Sequence, residues 1–265
     1  MTGVLACLCV FLVLFVVPNA KNIAPKGDTL PIYDDLKNLF SHPQLIRLNI
    51  SVLLLHMLIT LLFVQIPVFL VDLNWPLATH WQVYSVVLVA SVVGLIGLMV
   101  LASKRKQAVL QYSVIGMALV FSLLIFGQHS IIYLMVLVSL FFTCFNYLEA
   151  NFPAMVSNIA PAGKKGSAMG VYASFQFFGA FIGGVLSGSI GELLDIQWVF
   201  ILASVLCCIW LLLIRGINAT ERLKRYTLKT NELTTDLTLQ QLSALEGLVD
   251  ITVVPNEQVM YIKAD

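Results

Sequence analysis

Long apolar stretches separated by short polar connections make up most of the chain. They lie at roughly residues 2–18, 45–71, 81–102, 108–127, 131–157, 168–190 and 198–214. Most approach the length of about 20 residues that a helix needs to cross a bilayer. The pattern therefore predicts seven membrane-spanning helices, of which the first is the weakest.

The pattern changes after Asn218. Residues 226–229, 248–254 and 258–264 have the character of strands, whereas the leucines of residues 236–245 have helical spacing. The order β-α-β-β is the first part of a split β-α-β pattern. The predicted fold class is an all-α polytopic membrane protein with a small, partial α+β (ferredoxin-like) tail.

Composition supports a membrane protein. The chain is 59% hydrophobic and 11% charged, whereas a soluble domain carries about 25% charged residues. Its net charge of +1 argues against nucleic-acid binding. The sequence has no Ser-His-Asp set, paired carboxylates, phosphate loop or metal-ligand cluster, so we expect no enzyme activity, cofactor or metal.

The placement of basic residues predicts the orientation. If all seven stretches cross, the 15 Lys and Arg residues fall in alternate connections, on one side of the membrane. Basic residues near spans stay cytoplasmic, so the N-terminus is predicted outside and the C-terminus inside. The residues that set topology within the bundle are Lys104, Arg105, Lys106, Lys164 and Lys165. Alternatively, the first stretch is a cleaved signal peptide, which would turn Lys104–Lys106 outward.

The connections divide the chain into four parts. Residues 1–19 form a transmembrane helix, and residues 20–44 form a long polar linker on the cytoplasmic side. Residues 45–217 form a six-helix bundle. Residues 218–265 contain a further linker and the partial β-α-β-β domain.

Three stretches carry a resemblance to a known family: residues 45–49 (LIRLN) leading to His56, residues 146–172 (NYLEANFPAMVSNIAPAGKKGSAMGVY) and residues 246–263 (EGLVDITVVPNEQVMYIK). The first resembles the start of the seventh helix of major facilitator superfamily transporters. The second resembles their tenth helix, connecting loop and eleventh helix, in a long and fairly specific match. The third is similar to the soluble YAM domain of the YajR-type subgroup, here cut short.

The resemblance implies the last helix of an N-terminal half followed by the C-terminal six-helix bundle of a secondary carrier. It implies a fragment of an antiporter-like, proton-coupled exporter of a small organic solute or drug, working by alternating access in the plasma (inner) membrane. The implied partners are the lipid bilayer, the missing N-terminal half, a proton and an unidentified small-molecule substrate. The loop at residues 102–107 keeps basic charge but lacks the Asp-Arg-x-Gly core of the family loop.

Glu149 and His56 are the ionisable candidates for a proton or substrate pathway. A carboxylate at membrane depth costs a few kcal/mol and is by default a functional candidate. Alternatively, Glu149 is a structural latch near the inner boundary of the hydrocarbon. His56 can titrate near neutral pH, or it can remain neutral and hydrogen-bond to a neighbouring helix.

Two further sets complete the candidates. The first contains amides that line a polar cavity or make interhelical hydrogen bonds: Asn49, Gln65, Asn146 and Gln176. The second contains glycine pairs spaced four apart, which let helix backbones approach closely: Gly166 with Gly170, Gly179 with Gly183, and Gly184 with Gly188.

Two other classes of protein remain alternatives. Seven spans with an external N-terminus also fit a seven-helix membrane receptor or sensor, although a receptor should pack all seven together. The third class is a membrane-tethered regulatory protein whose tail binds an ion or nucleotide, although the tail lacks a Cys pair or glycine loop for this.

Overall fold

The computed structural model describes residues 2–17, 39–126, 130–161, 164–218, 224–229, 248–254 and 259–264. Its helices are α1 (Thr2–Phe15), α2 (Pro43–Asp72), α3 (His80–Leu124), α4 (Ile131–Ile159), α5 (Lys165–Leu193) and α6 (Ile196–Ile214). A short 3₁₀ helix at Leu77–Thr79 precedes α3. Five of the described helices are long and apolar enough to cross a membrane. At 14 residues, α1 is shorter than a typical crossing.

α3 consists of two helices joined by a sharp bend at Arg105. As one straight helix its 45 residues would measure about 68 Å, more than twice the hydrocarbon thickness of about 30 Å. Arg105 leaves the helical region with φ −141° and ψ 53°. Gly94 before the bend and Gly116 after it face Thr143 and Cys144 of α4, respectively. The two halves, α3N (residues 80–104) and α3C (residues 106–124), therefore run side by side as two spans.

α2 and α5 run parallel and pack backbone against backbone. Residues one turn apart on α2 each contact a small residue or glycine on α5. The residue numbers of the contacting pairs increase in the same direction along both helices, so the helices are parallel. The pairs are Leu53 with Gly179, Met57 with Gly183, Leu61 with Ser187 and Gln65 with Gly191. We call this row of contacts the α2–α5 ladder. Helices approach this closely in lipid where one of them presents small side chains.

Polar side chains also connect α2 to α6. The indole N–H of Trp210 donates to Ser51 Oγ at 3.0 Å in the buried core. At the end of α6, the side chains of Arg47 and Gln44 donate to the carbonyl of Gly216. α2 also packs against α4 and α5, so three helices surround it.

Apolar side chains also cover the outside of the bundle. On α5, Phe177, Phe178 and Phe181 are 73%, 56% and 65% exposed. A helix that is apolar all round is typical of a membrane span. The outer surface of α5 therefore has the apolar character of a membrane-spanning helix.

The tail contains a three-stranded antiparallel sheet in the order β1-β3-β2, with β1 at Lys224–Lys229, β2 at Leu248–Val254 and β3 at Val259–Ala264. β3 is antiparallel to both neighbours, so β1 and β2 are parallel to each other. This is the strand arrangement of a split β-α-β unit. The predicted helix at residues 236–245 and most of the predicted linker at residues 20–44 lie outside the described residues.

Candidate functional site

Three of the predicted polar residues meet between α2, α4 and α5. His56 Nε2 lies 3.6 Å from Glu149 Oε2. Gln176 Nε2 lies 2.9 Å from His56 Nε2 and donates to Glu149 Oε1 at 3.4 Å. We call these side chains the polar triad. Residues far apart in the sequence therefore share one hydrogen-bonded cluster.

The surroundings of His56 assign its tautomer. Nδ1 lies 3.1 Å from the carbonyl oxygen of Val52, one turn earlier on α2. Because a carbonyl oxygen only accepts, Nδ1 carries a hydrogen. In the neutral ring Nε2 is then an acceptor for the Gln176 amide. In the protonated ring Nε2 becomes a donor, and Glu149 is the carboxylate within reach.

The polar triad is deep in the apolar part of the bundle. Its residues lie about 15–20 Å along the helices from the nearer ends of α2, α4 and α5, at 1.5 Å per residue. The sequence suggested a position for Glu149 near the inner boundary of the hydrocarbon. Because α4 continues to Ile159, Glu149 is instead about 15 Å from the end of its helix. The side chains of His56 and Glu149 are only 13% and 33% exposed.

The charge of Glu149 has little compensation. Its Oε2 is buried and has no hydrogen-bond partner, and the apolar spans contain no Lys or Arg between residues 48 and 103, 107 and 163, or 166 and 214. Glu149 also acts electrostatically on the hydroxyl of Tyr172, one turn from Gln176 on α5. A carboxylate in such surroundings is costly unless it is paired, and His56 Nε2, 3.6 Å from Oε2, is the group placed to pair with it.

The other predicted amides lie elsewhere. Gln65 belongs to the α2–α5 ladder, where its Nε2 donates to Ser187 Oγ at 2.8 Å and to the Ser187 carbonyl at 3.2 Å. Asn49 is two turns before His56 on α2, and its Oδ1 is buried without a hydrogen-bond partner. Asn146 is half-buried one turn before Glu149 on α4.

The predicted glycines differ in their roles. Gly179 and Gly183 lie against the α2 backbone. A Cβ added at Gly184 would make ordinary contact with Thr60, at 3.7 Å. At Gly170 and Gly188, an added Cβ would meet nothing within 4 Å among the described residues, and Gly166 is exposed. Contact with the backbone of α2 is therefore found at the second pair; in the third pair, Gly184 lies near the Thr60 side chain of α2 at an ordinary distance and Gly188 does not.

The predicted topology residues lie at helix ends. Lys104, Arg105 and Lys106 occupy the bend of α3. Lys164 holds the N-cap position of α5, and Lys165 is the first residue of that helix. Their side of the membrane remains a prediction.

Several residues near the site were not predicted from the sequence. Ser187 and Gly191 extend the row of Gly179 and Gly183 at the same four-residue spacing, which was the available signal. The ring of Phe145 lies 5.7 Å from that of His56, edge to face. A phenylalanine in an apolar span gives no signal of its own. In the part of the chain that the structure describes, no group of three or more His, Cys, Asp or Glu residues could hold a metal ion.

Comparison with known proteins gives consistent matches. The profile of the Major Facilitator Superfamily matches residues 1–176 and 100–248. The inner membrane transport protein YajR of Escherichia coli (strain K12) is 29% identical over 269 residues, covering 100% of this chain and 59% of that protein. Uncharacterized transporter BU466 of Buchnera aphidicola subsp. Acyrthosiphon pisum is 29% identical over 185 residues, covering 68% of this chain and 47% of that protein.

An uncharacterized transporter of Buchnera aphidicola subsp. Baizongia pistaciae is 25% identical over 215 residues, covering 78% of this chain and 54% of that protein. The chain thus spans about half the length of the curated relatives it matches.

Proposed function

Since the chain belongs to the major facilitator superfamily, we propose that it forms the C-terminal half of a secondary carrier that exports a small organic solute in exchange for protons. The proposed carrier also contains an N-terminal half with the helices that the longer relatives have. Rocking of the two halves around a central site would expose that site to each side in turn.

The observation that carries the proposal is the polar triad. A carboxyl, an imidazole and an amide meet at depth in a bundle whose other interior contacts are mostly apolar. Ionisable residues at such depth are a recognised mark of ion and substrate pathways. The alternative, a purely structural latch, does not explain why Glu149 Oε2 is left without a hydrogen bond.

The charge state of the triad supplies the coupling. With one proton shared between His56 and Glu149, the pair is neutral overall, whether as imidazolium and carboxylate or as imidazole and carboxylic acid. Loss of that proton leaves a net negative charge in apolar surroundings, which is costly. The titratable groups that face Glu149 are His56 on α2 and Tyr172 on α5. A carrier containing this site would therefore change conformation readily only when a proton or a solute compensates the charge.

We place the carrier in the inner membrane with the N-terminus outside and the C-terminus in the cytoplasm. The Escherichia coli relative is an inner membrane transport protein by name, which supports this membrane. The alternation of basic residues along the chain supports the orientation. The split β-α-β arrangement of the tail supports a ferredoxin-like cytoplasmic domain.

Transport by inverted membrane vesicles tests the function. The chain is co-expressed with the N-terminal half of the Escherichia coli relative, and a panel of small organic solutes is added to vesicles that maintain a pH gradient. A transported solute should dissipate the gradient, and Glu149→Gln should abolish that response. Glu192→Gln at the exposed end of α5 is the matched control and should retain it. Absence of any solute response, or full activity of Glu149→Gln, would contradict the proposal.

The orientation has a separate test. The test introduces Lys106→Cys into a variant from which the native cysteines are removed. This cysteine should react with a membrane-impermeant maleimide in inverted vesicles but not in intact spheroplasts. Labelling in spheroplasts would overturn the predicted orientation.

A further inference from the structure

Charge is divided between the two ends of the helical bundle. Residues 39–218 contain seven Lys and Arg residues, at the starts of α2 and α5, the bend of α3 and the end of α6: Arg47, Lys104, Arg105, Lys106, Lys164, Lys165 and Arg215. The directions of the helices bring these positions to one end of the bundle. Asp72, Glu192 and Asp195 lie at the other end, and residues 39–218 have no other Asp or Glu except Glu149.

A cavity opens at the basic end, between α3C and α6. Its volume is about 320 Å³, and it is lined by Gln107, Gln111, Arg215, Gly216, Ile217 and Asn218. We call it the basic-end cavity. Gln107 Nε2 lies 3.5 Å from the carbonyl oxygen of Ile214 beside the cavity, and Ser122 Oγ lies 3.4 Å from Ser204 Oγ farther along both helices. The two helices are therefore antiparallel, so that α3C begins at the cavity and α6 ends there.

The groups that line the cavity favour an anion. Arg215 is exposed, and among the residues that the structure describes no carboxylate pairs with it. The planar guanidinium presents its N–H donors in a fork that matches the oxygens of a phosphate. Gln107 and Gln111 are one turn apart near the start of α3C, where the helix dipole favours negative charge.

The carbonyl groups at the end of α6 offer little opposition to an anion. They carry partial negative charge, but donors from other helices already occupy them. Arg47 and Gln44 both donate to the carbonyl of Gly216, and Gln107 lies beside that of Ile214. The guanidinium of Arg47 packs so closely on Gly216 that an added Cβ would lie 2.7 Å from its Cζ. A second arginine therefore adds positive charge next to the cavity wall.

The surface next to the cavity indicates that the anion belongs to a lipid. Exposed apolar side chains three or four residues apart follow one face of α3C and one face of α6 away from the cavity: Tyr112, Ile115 and Leu119, and Val205, Ile209 and Leu212. Acyl chains attached to a bound headgroup can cover these faces, whereas a soluble phosphate cannot use them. Basic pockets between membrane helices suit phospholipid headgroups for the same reason.

We propose that the basic-end cavity binds the phosphate of an anionic phospholipid, with Arg215 as its ion-pair partner and Gln111 as a hydrogen-bond donor. The site lies at the helix ends, away from the polar triad. Its occupancy is independent of the proposed transport activity and of the predicted orientation, since binding is measured on the purified chain.

Native mass spectrometry tests the assignment. The 265-residue chain is purified in a neutral detergent and mixed with equal amounts of phosphatidylglycerol and phosphatidylcholine that have the same acyl chains. The first lipid retained should be phosphatidylglycerol, with a preference of at least about fivefold. Soluble glycerol phosphate in excess should not displace it, because that compound lacks acyl chains. Equal retention of the two lipids would overturn the proposal, and displacement by glycerol phosphate would assign the cavity to a soluble phosphate instead.

Matched variants locate the site. Arg215→Gln should lower the affinity for phosphatidylglycerol about fivefold through loss of the ion pair, and Gln111→Leu should lower it about threefold through loss of a donor. Lys165→Gln removes one positive charge at the same end of the bundle but on α5, outside the cavity. It should bind as the unaltered chain does. Far-UV circular dichroism checks that each variant is folded. Equal affinities for folded Arg215→Gln and Lys165→Gln would refute the assignment, because general surface charge would then account for binding.

Discussion

Replacing Gly179 with alanine should loosen the contact between α2 and α5. A Cβ at this position would lie 2.8 Å from both the carbonyl carbon and the Cα of Leu53, and it would overlap the carbonyl oxygen as well. These are backbone atoms of a helix, so no side chain can rotate away. The two helices must separate, and the contacts of Gln65 with Ser187 in the same ladder would lengthen with them.

The expected magnitude follows from two opposing effects. Overpacking in a tight interior costs about 1–3 kcal/mol, while alanine gains about 0.5–1 kcal/mol over glycine in a helix. Gly179→Ala should therefore lower the free energy of unfolding by about 1–2 kcal/mol. Gly188→Ala is the matched control on the same helix, because an added Cβ there meets nothing within 4 Å among the described residues. It should leave stability unchanged or raise it slightly.

Unfolding of the purified chain in mixed detergent micelles with increasing sodium dodecyl sulfate, followed by far-UV circular dichroism, measures both variants. Comparison at one detergent composition avoids a long extrapolation. If Gly179→Ala is as stable as Gly188→Ala, the α2–α5 ladder does not pack as described.

Two further hydrogen-bonded contacts give predictions with the same assay. Gln65→Leu should lower the free energy of unfolding by about 1 kcal/mol, because the hydrogen bonds to Ser187 are lost. The double variant with Ser187→Ala should lose less stability than the sum of the two single variants. Strict additivity would show that the two side chains do not interact. Trp210→Phe should also cost about 1 kcal/mol, because it leaves Ser51 without the indole donor while keeping most of the ring volume. A Trp210→Phe variant no less stable than a Trp198→Phe control, altered at a half-exposed position near the start of α6, would contradict that contact.

Much of the fold could be predicted from local patterns. The apolar stretches after the first matched described helices, and the basic residues 104–106 coincided with the bend that divides α3. The three strands of the tail lie within two residues of their predicted positions. These features depend on composition over a few turns or on alternation over a few residues, which the sequence displays directly.

The site was only partly predictable. Glu149, His56 and Gln176 were candidates because each is polar within an apolar span, but so were Asn49, Gln65 and Asn146. Polarity alone does not tell which of the candidates meet. Phe145, whose ring lies beside that of His56, could not be identified from the sequence, since phenylalanine in a membrane span is ordinary.

The sequence by itself determined the class of protein, the helical segments and the presence of a carboxylate at membrane depth, because these follow from hydropathy and charge along the chain. Only the tertiary structure decided which partners that carboxylate has and which glycines matter. Helical spacing places Gly179 with Gly183 and Gly184 with Gly188 on two faces about 100° apart. It cannot show which face turns toward α2. That choice depends on contacts between helices distant in sequence, and the same contacts bring His56, Glu149 and Gln176 together.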